Sequence, residues 1–287
     1  FVPPMGEDGF GAPRTHANAR EALRASAAAG GGGKTAPTAL SVLLLVVDAT
    51  SRSHMQRMCP RSLAALNALS GSGARVYELD QYSIVGYNSI PNTVPLISGV
   101  EESAVTEPSY SYGAPMAVPT PIWTEFKQHG AATFVLEEIH DGCKDINAHT
   151  TSAASKLYSS HAAADQQPDF GPWEVFCRPE VRSCCTERAS FLRPGRRQCI
   201  NGADLHVEML AYARRFLDQR AAAGGRSFGL LNLMTAHEHF MTRLAGLDDD
   251  LAAFIEGLGP RLADDTALVL LADHGTHGIW YNDFAIG

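Results

Sequence analysis

Apolar positions along this chain fall into two periodicities. Nearly uninterrupted apolar runs at residues 41–47, 228–234 and 266–272 read as strands buried on both faces, the mark of a parallel sheet covered on two sides. Shorter runs at 74–79 and 131–136 add two further strands. Between them the spacing turns helical. Residues 53–69 read as a helix ending near Gly71, with Pro60 early in it or dividing it into two pieces. Residues 89–99 carry Pro91 and Pro95 and read as a turn leading into a helix, because proline is tolerated in a first turn. Residues 123–129 make a short helix, and 203–223 a longer one with Leu205, Met209, Ala213 and Phe216 as its apolar stripe. Residues 248–257 make a helix with an acidic start, as the helix dipole favours. This alternation predicts an α/β fold: a three-layer sandwich around a mostly parallel sheet.

Two segments fall outside the pattern. Residues 1–40, with Pro3-Pro4 and Gly30-Gly-Gly-Gly33, read as a flexible arm holding a short Ala-rich helix at 18–29, ahead of one domain at 41–287. Gly33-Lys34-Thr35 is no phosphate-binding loop: Ala28 stands where its first glycine belongs, and the tract precedes a strand rather than following one. Residues 140–200, rich in Ser, Cys, Pro and Arg, read as an excursion forming a rim or lid.

Composition narrows the function. A net charge of -8 gives no basic footprint for nucleic acid, and no run of eighteen apolar residues spans a membrane. The chain starts at Phe1 and lacks the order of a signal peptide, as expected of a mature or truncated product. Cys177, Cys184, Cys185 and Cys199 crowd a polar segment, while Cys59 and Cys143 stand apart. In an oxidising lumen the four would be disulfides; in cytosol they would be thiols or zinc ligands. Their spacing matches no tight zinc knuckle, which favours disulfides and a secreted or lumenal setting.

Candidate chemistry gathers at strand ends, where open α/β sheets bind ligands. Asp48 closes the first run; it either meets a divalent cation or caps the next helix. Asp273-His274-Gly275 closes the last, an oxygen and an imidazole suited to zinc or manganese better than calcium, or else an exposed loop triplet. After the run at 228–234, His237, Glu238 and His239 suit a second metal, a substrate oxygen or a polar loop, and do not make the zincin spacing. Thr93 offers a hydroxyl near a helix start, as a cap or as a nucleophile activated by a metal. Arg52 and His54 are candidate substrate or supporting groups, or simple surface residues.

Taken together, Leu44-Leu-Val-Val-Asp48-Ala-Thr-Ser-Arg52, Gly86-Tyr87-Asn88-Ser89-Ile90-Pro91-Asn92-Thr93-Val94-Pro95-Leu96-Ile97-Ser98-Gly99, Cys199-Ile-Asn-Gly202 and Leu270-Leu-Ala-Asp273-His274-Gly275 resemble the alkaline phosphatase/sulfatase superfamily. Within it they are most similar to the sulfatase-like domain of unknown function 229 family. The resemblance implies an alkaline phosphatase-like fold, with Asp48, Thr93, Asp273 and His274 holding one divalent metal, Zn or Mn. It makes Thr93 the nucleophile and His237 a second-metal or substrate-oxygen contact, with Asn92, Glu238, His239 and His277 as possible supporting groups. It implies a small anionic ester or a glycan- or lipid-linked phosphate or sulfate as substrate, and a secreted or lumenal protein. Sulfatases carry a modified cysteine or serine in a Cys-x-Pro-x-Arg-like motif. Thr93-Val94-Pro95-Leu96-Ile97 has neither the cysteine nor the arginine, which tilts the chemistry toward phosphoryl transfer. Downstream of His274 only His277 remains as a further histidine, as in a fragment or a single-metal version. The expected function is a metal-dependent phosphoester hydrolase or transferase; the rival is a non-catalytic lumenal domain retaining the fold and one structural metal.

Overall fold

The computed structural model describes residues 40–86, 89–100, 120–138, 164–171, 199–200, 202–237 and 242–275. The uninterrupted apolar run at the start becomes β1 (Ser41–Val47). Side chains alternate across a strand, and here both directions are apolar environments. Leu43, Leu45 and Val47 enter one core, Leu44 and Val46 another. β1 is therefore internal, paired in parallel with β5 (Ser227–Leu233) on one side and β6 (Thr266–Leu271) on the other. β2 (Ala132–Glu137) pairs in parallel with β5, giving the order β2-β5-β1-β6. A two-residue antiparallel pair, β3 (Cys199–Ile200) with β4 (Ala203–Asp204), stands apart.

Helices cover both faces. The larger core lies under α1 (Arg52–Met58), α2 (Pro60–Leu69), α5 (Leu205–Ala222) and α6 (Asp248–Leu262). The smaller lies under α3 (Ser89–Ser98) and α4 (Ile122–Gln128), through Val94, Ile97 and Trp123. This is the expected α/β sandwich.

Local chemistry sets the boundaries. Pro60 splits the stretch at 53–69 into α1 and α2, since it has no N–H to continue a helix but is at ease in a first turn. The carboxylate of Asp248 then caps α2, accepting from Ser62 N at 2.8 Å and Arg61 N at 3.0 Å. α6 runs past residue 257 because Phe254, Ile255 and Leu258 keep its buried stripe going, and burial outweighs the weak propensity of Gly257 and Gly259. β5 needs glycine at 229, where an added Cβ would lie 2.2 Å from the Phe134 ring.

One expected strand does not form. Residues 74–79 have no strand partner, and Val76, Tyr77 and Leu79 are exposed. Among the described residues β6 and β2 are each paired on one side only, and residues 74–79 join neither edge.

Candidate metal centre

The chemistry lies beyond the carboxyl ends of β1, β5 and β6. Asp48 extends β1 by one residue, its N–H donating to the Leu233 carbonyl at 2.9 Å. Ala49 then adopts a left-handed φ of 57°, which L-residues rarely occupy. In this turn the Ala49 N–H donates to Asp273 Oδ1 at 3.2 Å, and the His274 N–H donates to the same oxygen at 2.9 Å. Two backbone donors fix one oxygen of Asp273. The other, Oδ2, is buried without a hydrogen-bond partner.

Asp48 is divided in the same way. Its Oδ2 accepts from the Ser89 hydroxyl at 3.1 Å, while Oδ1 is buried and unpartnered. Buried carboxylate oxygens without donors are costly, and a cation is the partner that relieves them. Burial first, and then the charge of Asp273, hold the Asp48 carboxyl well above the ordinary aspartate range.

His274 completes the group. Its Nδ1 faces the Gly275 carbonyl, a pure acceptor, so Nδ1 carries the hydrogen and Nε2 presents its lone pair. That Nε2 lies 3.4 Å from Asp273 Oδ2, 3.7 Å from Asp48 Oδ1 and 3.2 Å from Ser89 Oγ. Two tetrahedral ligands with bonds of about 2.0–2.2 Å stand roughly 3.4 Å apart. One ligand atom from each of Asp48, Asp273 and His274 falls within 4.8 Å of the others, and all three residues are buried. Orphaned oxygens, tautomer and spacing all fit a divalent cation.

The remaining predicted residues divide clearly. His237 reaches the group, with Nε2 4.0 Å from Asp48 Oδ1. Thr93 is buried in α3, one turn beyond Ser89, and the hydroxyl set against Asp48 and His274 belongs to Ser89. This hydroxyl lies four residues before the expected one. Two hydroxyl-x-Pro triplets occur in register, Ser89-Ile90-Pro91 and Thr93-Val94-Pro95, and only the first opens α3. In that register a serine occupies the cysteine/serine position of the sulfatase motif, with Thr93 at the arginine position. Asn92 acts on the approach to the helix: its Oδ1 accepts from Val85 N at 2.7 Å and Gly86 N at 3.1 Å, and its Nδ2 donates to the Gly86 carbonyl at 2.8 Å. Arg52 faces outward in an exposed pair with Glu78. His54 is buried in α1. Glu238, His239, His277, Cys177, Cys184 and Cys185 lie outside the described residues, as does the side chain of Cys199.

Besides Ser89, pattern reading missed Tyr82. Burial first, and then the charge of Asp273, raise the phenol of this half-exposed residue above the ordinary tyrosine value. No periodicity marks it, because it sits on an irregular segment.

Comparisons with known proteins bear on the family and the fold. The chain belongs to the family described as protein of unknown function DUF229, whose profile matches residues 32–285. No curated protein sequence matches it. Among solved structures it is similar to the "putative sulfatase yidJ" of Bacteroides fragilis, at 10% identity and a TM-score of 0.51, over 85% of this chain and 64% of that one. It is also similar to a protein in the alkaline phosphatase superfamily from Vibrio parahaemolyticus, at 13% identity and a TM-score of 0.48, over 91% of this chain and 64% of that one. The chain shares its fold with the putative sulfatase, and it spans less than two thirds of the length of both structures. No described helix is long and apolar enough to cross a membrane.

Proposed function

We propose that this chain is a metal-dependent hydrolase of phosphate esters in which Ser89 is the nucleophile. One observation carries the reading: the Ser89 hydroxyl sits between Asp48 Oδ2 and His274 Nε2, beside two buried carboxylate oxygens that have no other partner.

Asp48 Oδ1, Asp273 Oδ2 and His274 Nε2 would hold one Zn or Mn ion, which when bound supplies Lewis acidity to an ester oxygen and favours ionisation of a nearby hydroxyl. The protein's own groups do the rest. Asp48 Oδ2 takes the hydrogen of the Ser89 hydroxyl, turning the oxygen's lone pairs toward the ester. It receives the proton as Oγ bonds to phosphorus and the bond from phosphorus to the leaving alcohol breaks, the alcohol taking a proton from solvent. Water then cleaves the Oγ–phosphorus bond, releasing phosphate and one proton to solvent while Oγ takes its proton back from Asp48. The N-terminal turn of α3 directs its dipole at the same place, favouring the anionic oxygens of the transferring group. His237 offers its ring to a substrate oxygen. Phosphate is preferred to sulfate because Thr93 stands where the sulfatase motif has its arginine. A small anionic ester in a secreted or lumenal setting completes the reading, and the cysteine grouping at 177–199 supports that setting.

The test is hydrolysis of p-nitrophenyl phosphate, bis(p-nitrophenyl) phosphate and p-nitrophenyl sulfate by Zn- and Mn-loaded protein. Turnover of a phosphoester that is lost in Ser89→Ala is expected. Metal-loaded protein that hydrolyses none of the three would favour the non-catalytic rival.

A further inference from the structure

A second polar cluster, which the chemistry above does not use, lies directly behind the His237 turn. Glu138 follows β2, and its N–H donates to the Asn232 carbonyl at 3.0 Å. Its buried carboxylate accepts from Met234 N at 2.6 Å and lies 3.1 and 3.2 Å from Thr235 Oγ1. His206, buried in α5, brings Nδ1 to 3.3 Å from that same hydroxyl and Nε2 to 3.0 Å from Asp250 Oδ2. The next contact leads to the site: the His237 N–H donates to the Met234 carbonyl at 2.9 Å, closing a turn over residues 234–237. Glu138 thus grips the first residue of this turn by its N–H and the second by its hydroxyl. The last residue is His237.

Donor counting shows how tightly the cluster is specified. Thr235 has one hydrogen, and Asp250, when ionised, only accepts. The chain of bonds closes in two ways. In one, both nitrogens of His206 carry hydrogen and Thr235 donates to an ionised Glu138. In the other, Glu138 carries the hydrogen and donates to Thr235, which donates to Nδ1. Either way a single proton is shared between Glu138 and His206 through Thr235, and no member is left without a partner. Such fully satisfied buried networks rigidify what they hold.

We propose that Glu138, Thr235 and His206 are positioning residues that fix the turn at 234–237 and so hold the His237 ring against Asp48. The proposal rests on the reading of His237 as part of the reactive site. Thr235→Val keeps the shape and removes the hydroxyl, and is expected to lower kcat about 10–100-fold, as loss of supporting partners does at metal sites; Thr235→Ser is expected to restore it. In a His237→Ala background, Thr235→Val should change kcat less than about twofold, since residues acting through one another are not additive. An equal loss in both backgrounds would overturn the proposal. A readout independent of turnover is the ring Cε1–H resonance of His237, identified by its absence in His237→Ala. It should move in Thr235→Val and return in Thr235→Ser; an unmoved resonance overturns the proposal. Wild-type protein without turnover would sink the hydrolase reading alone, and the resonance would still decide the positioning claim.

Discussion

The Ser89 hydroxyl donates to Asp48 Oδ2 at 3.1 Å, joining the first residue of α3 to the residue that ends β1. Ser89→Ala is therefore expected to reduce phosphoester kcat by at least about 10³-fold while the protein still binds metal, as removal of a nucleophile does. Thr93→Ala, one turn deeper, should leave kcat within about tenfold. Steady-state kinetics on both variants decide the matter, and the opposite ranking would return the role to Thr93.

Asp48 links the site to stability, and the sign can be worked out. Its carboxyl is held above the ordinary range, first by burial and then by Asp273. An acid whose folded pKa is raised binds more protons in the native state, so stability falls as pH rises from the unfolded value through the folded one. Metal-stripped protein carries that loss at pH 7, about 1.4 kcal/mol for each pH unit by which the pKa is raised. Asp48→Asn removes it. In EDTA the variant should melt higher than wild type at pH 7, and the two should converge near about pH 4. Saturating Zn or Mn should reverse the order, because only wild type gains the binding free energy. Thermal melts giving the same order with and without metal would remove the cation from Asp48.

Gly229 and Phe134 make a purely structural test. A Cβ at 229 would stand 2.2 Å from the ring, which itself packs edge-on against Phe216 at 4.8 Å. Gly229→Ala should cost about 1–3 kcal/mol by overpacking. Adding Phe134→Leu should recover part of it. Denaturant titrations that show simple additivity would mean the ring does not enforce the glycine.

Cys59 should be chemically silent in the folded protein. Burial, then the charge of Asp248, push its thiol up to about 12, and its Sγ faces the Leu244 carbonyl at 3.6 Å. At pH 8 that leaves about a thousandth of the thiolate an ordinary cysteine presents. Alkylation followed by peptide mass mapping should find Cys59 unlabelled until denaturant is added; prompt labelling would contradict the burial.

Continuous apolar runs announce both β1, buried on both faces, and β6, half-buried at the end of the sheet, which is why these strands and the residues closing them were readable without coordinates. The acids and histidines at those ends stood out because little else polar adjoins such runs. The hydroxyl beside Asp48 was harder to read. Ser89 and Thr93 each precede a proline by two residues, and only the true start of α3 separates them. Residues 74–79 misled because an apolar stretch becomes a strand only if the chain carries it to a sheet edge, and that is a property of the whole fold. The cluster behind His237 depends on contacts between distant segments, such as His206 with Asp250, and no local pattern encodes it.

The Ala49 N–H that holds Asp273 reaches across 224 residues. Residues near the start of the domain and residues in its final strand meet at one carboxylate, and β6 must dock on β1 before they do. A chain emerging from the ribosome can lay down β1, α3 and β5 and still have no cation site. The three candidate ligands come together late, only after residue 274 has been made and β6 has found its place, so a half-made chain cannot gather a cation there.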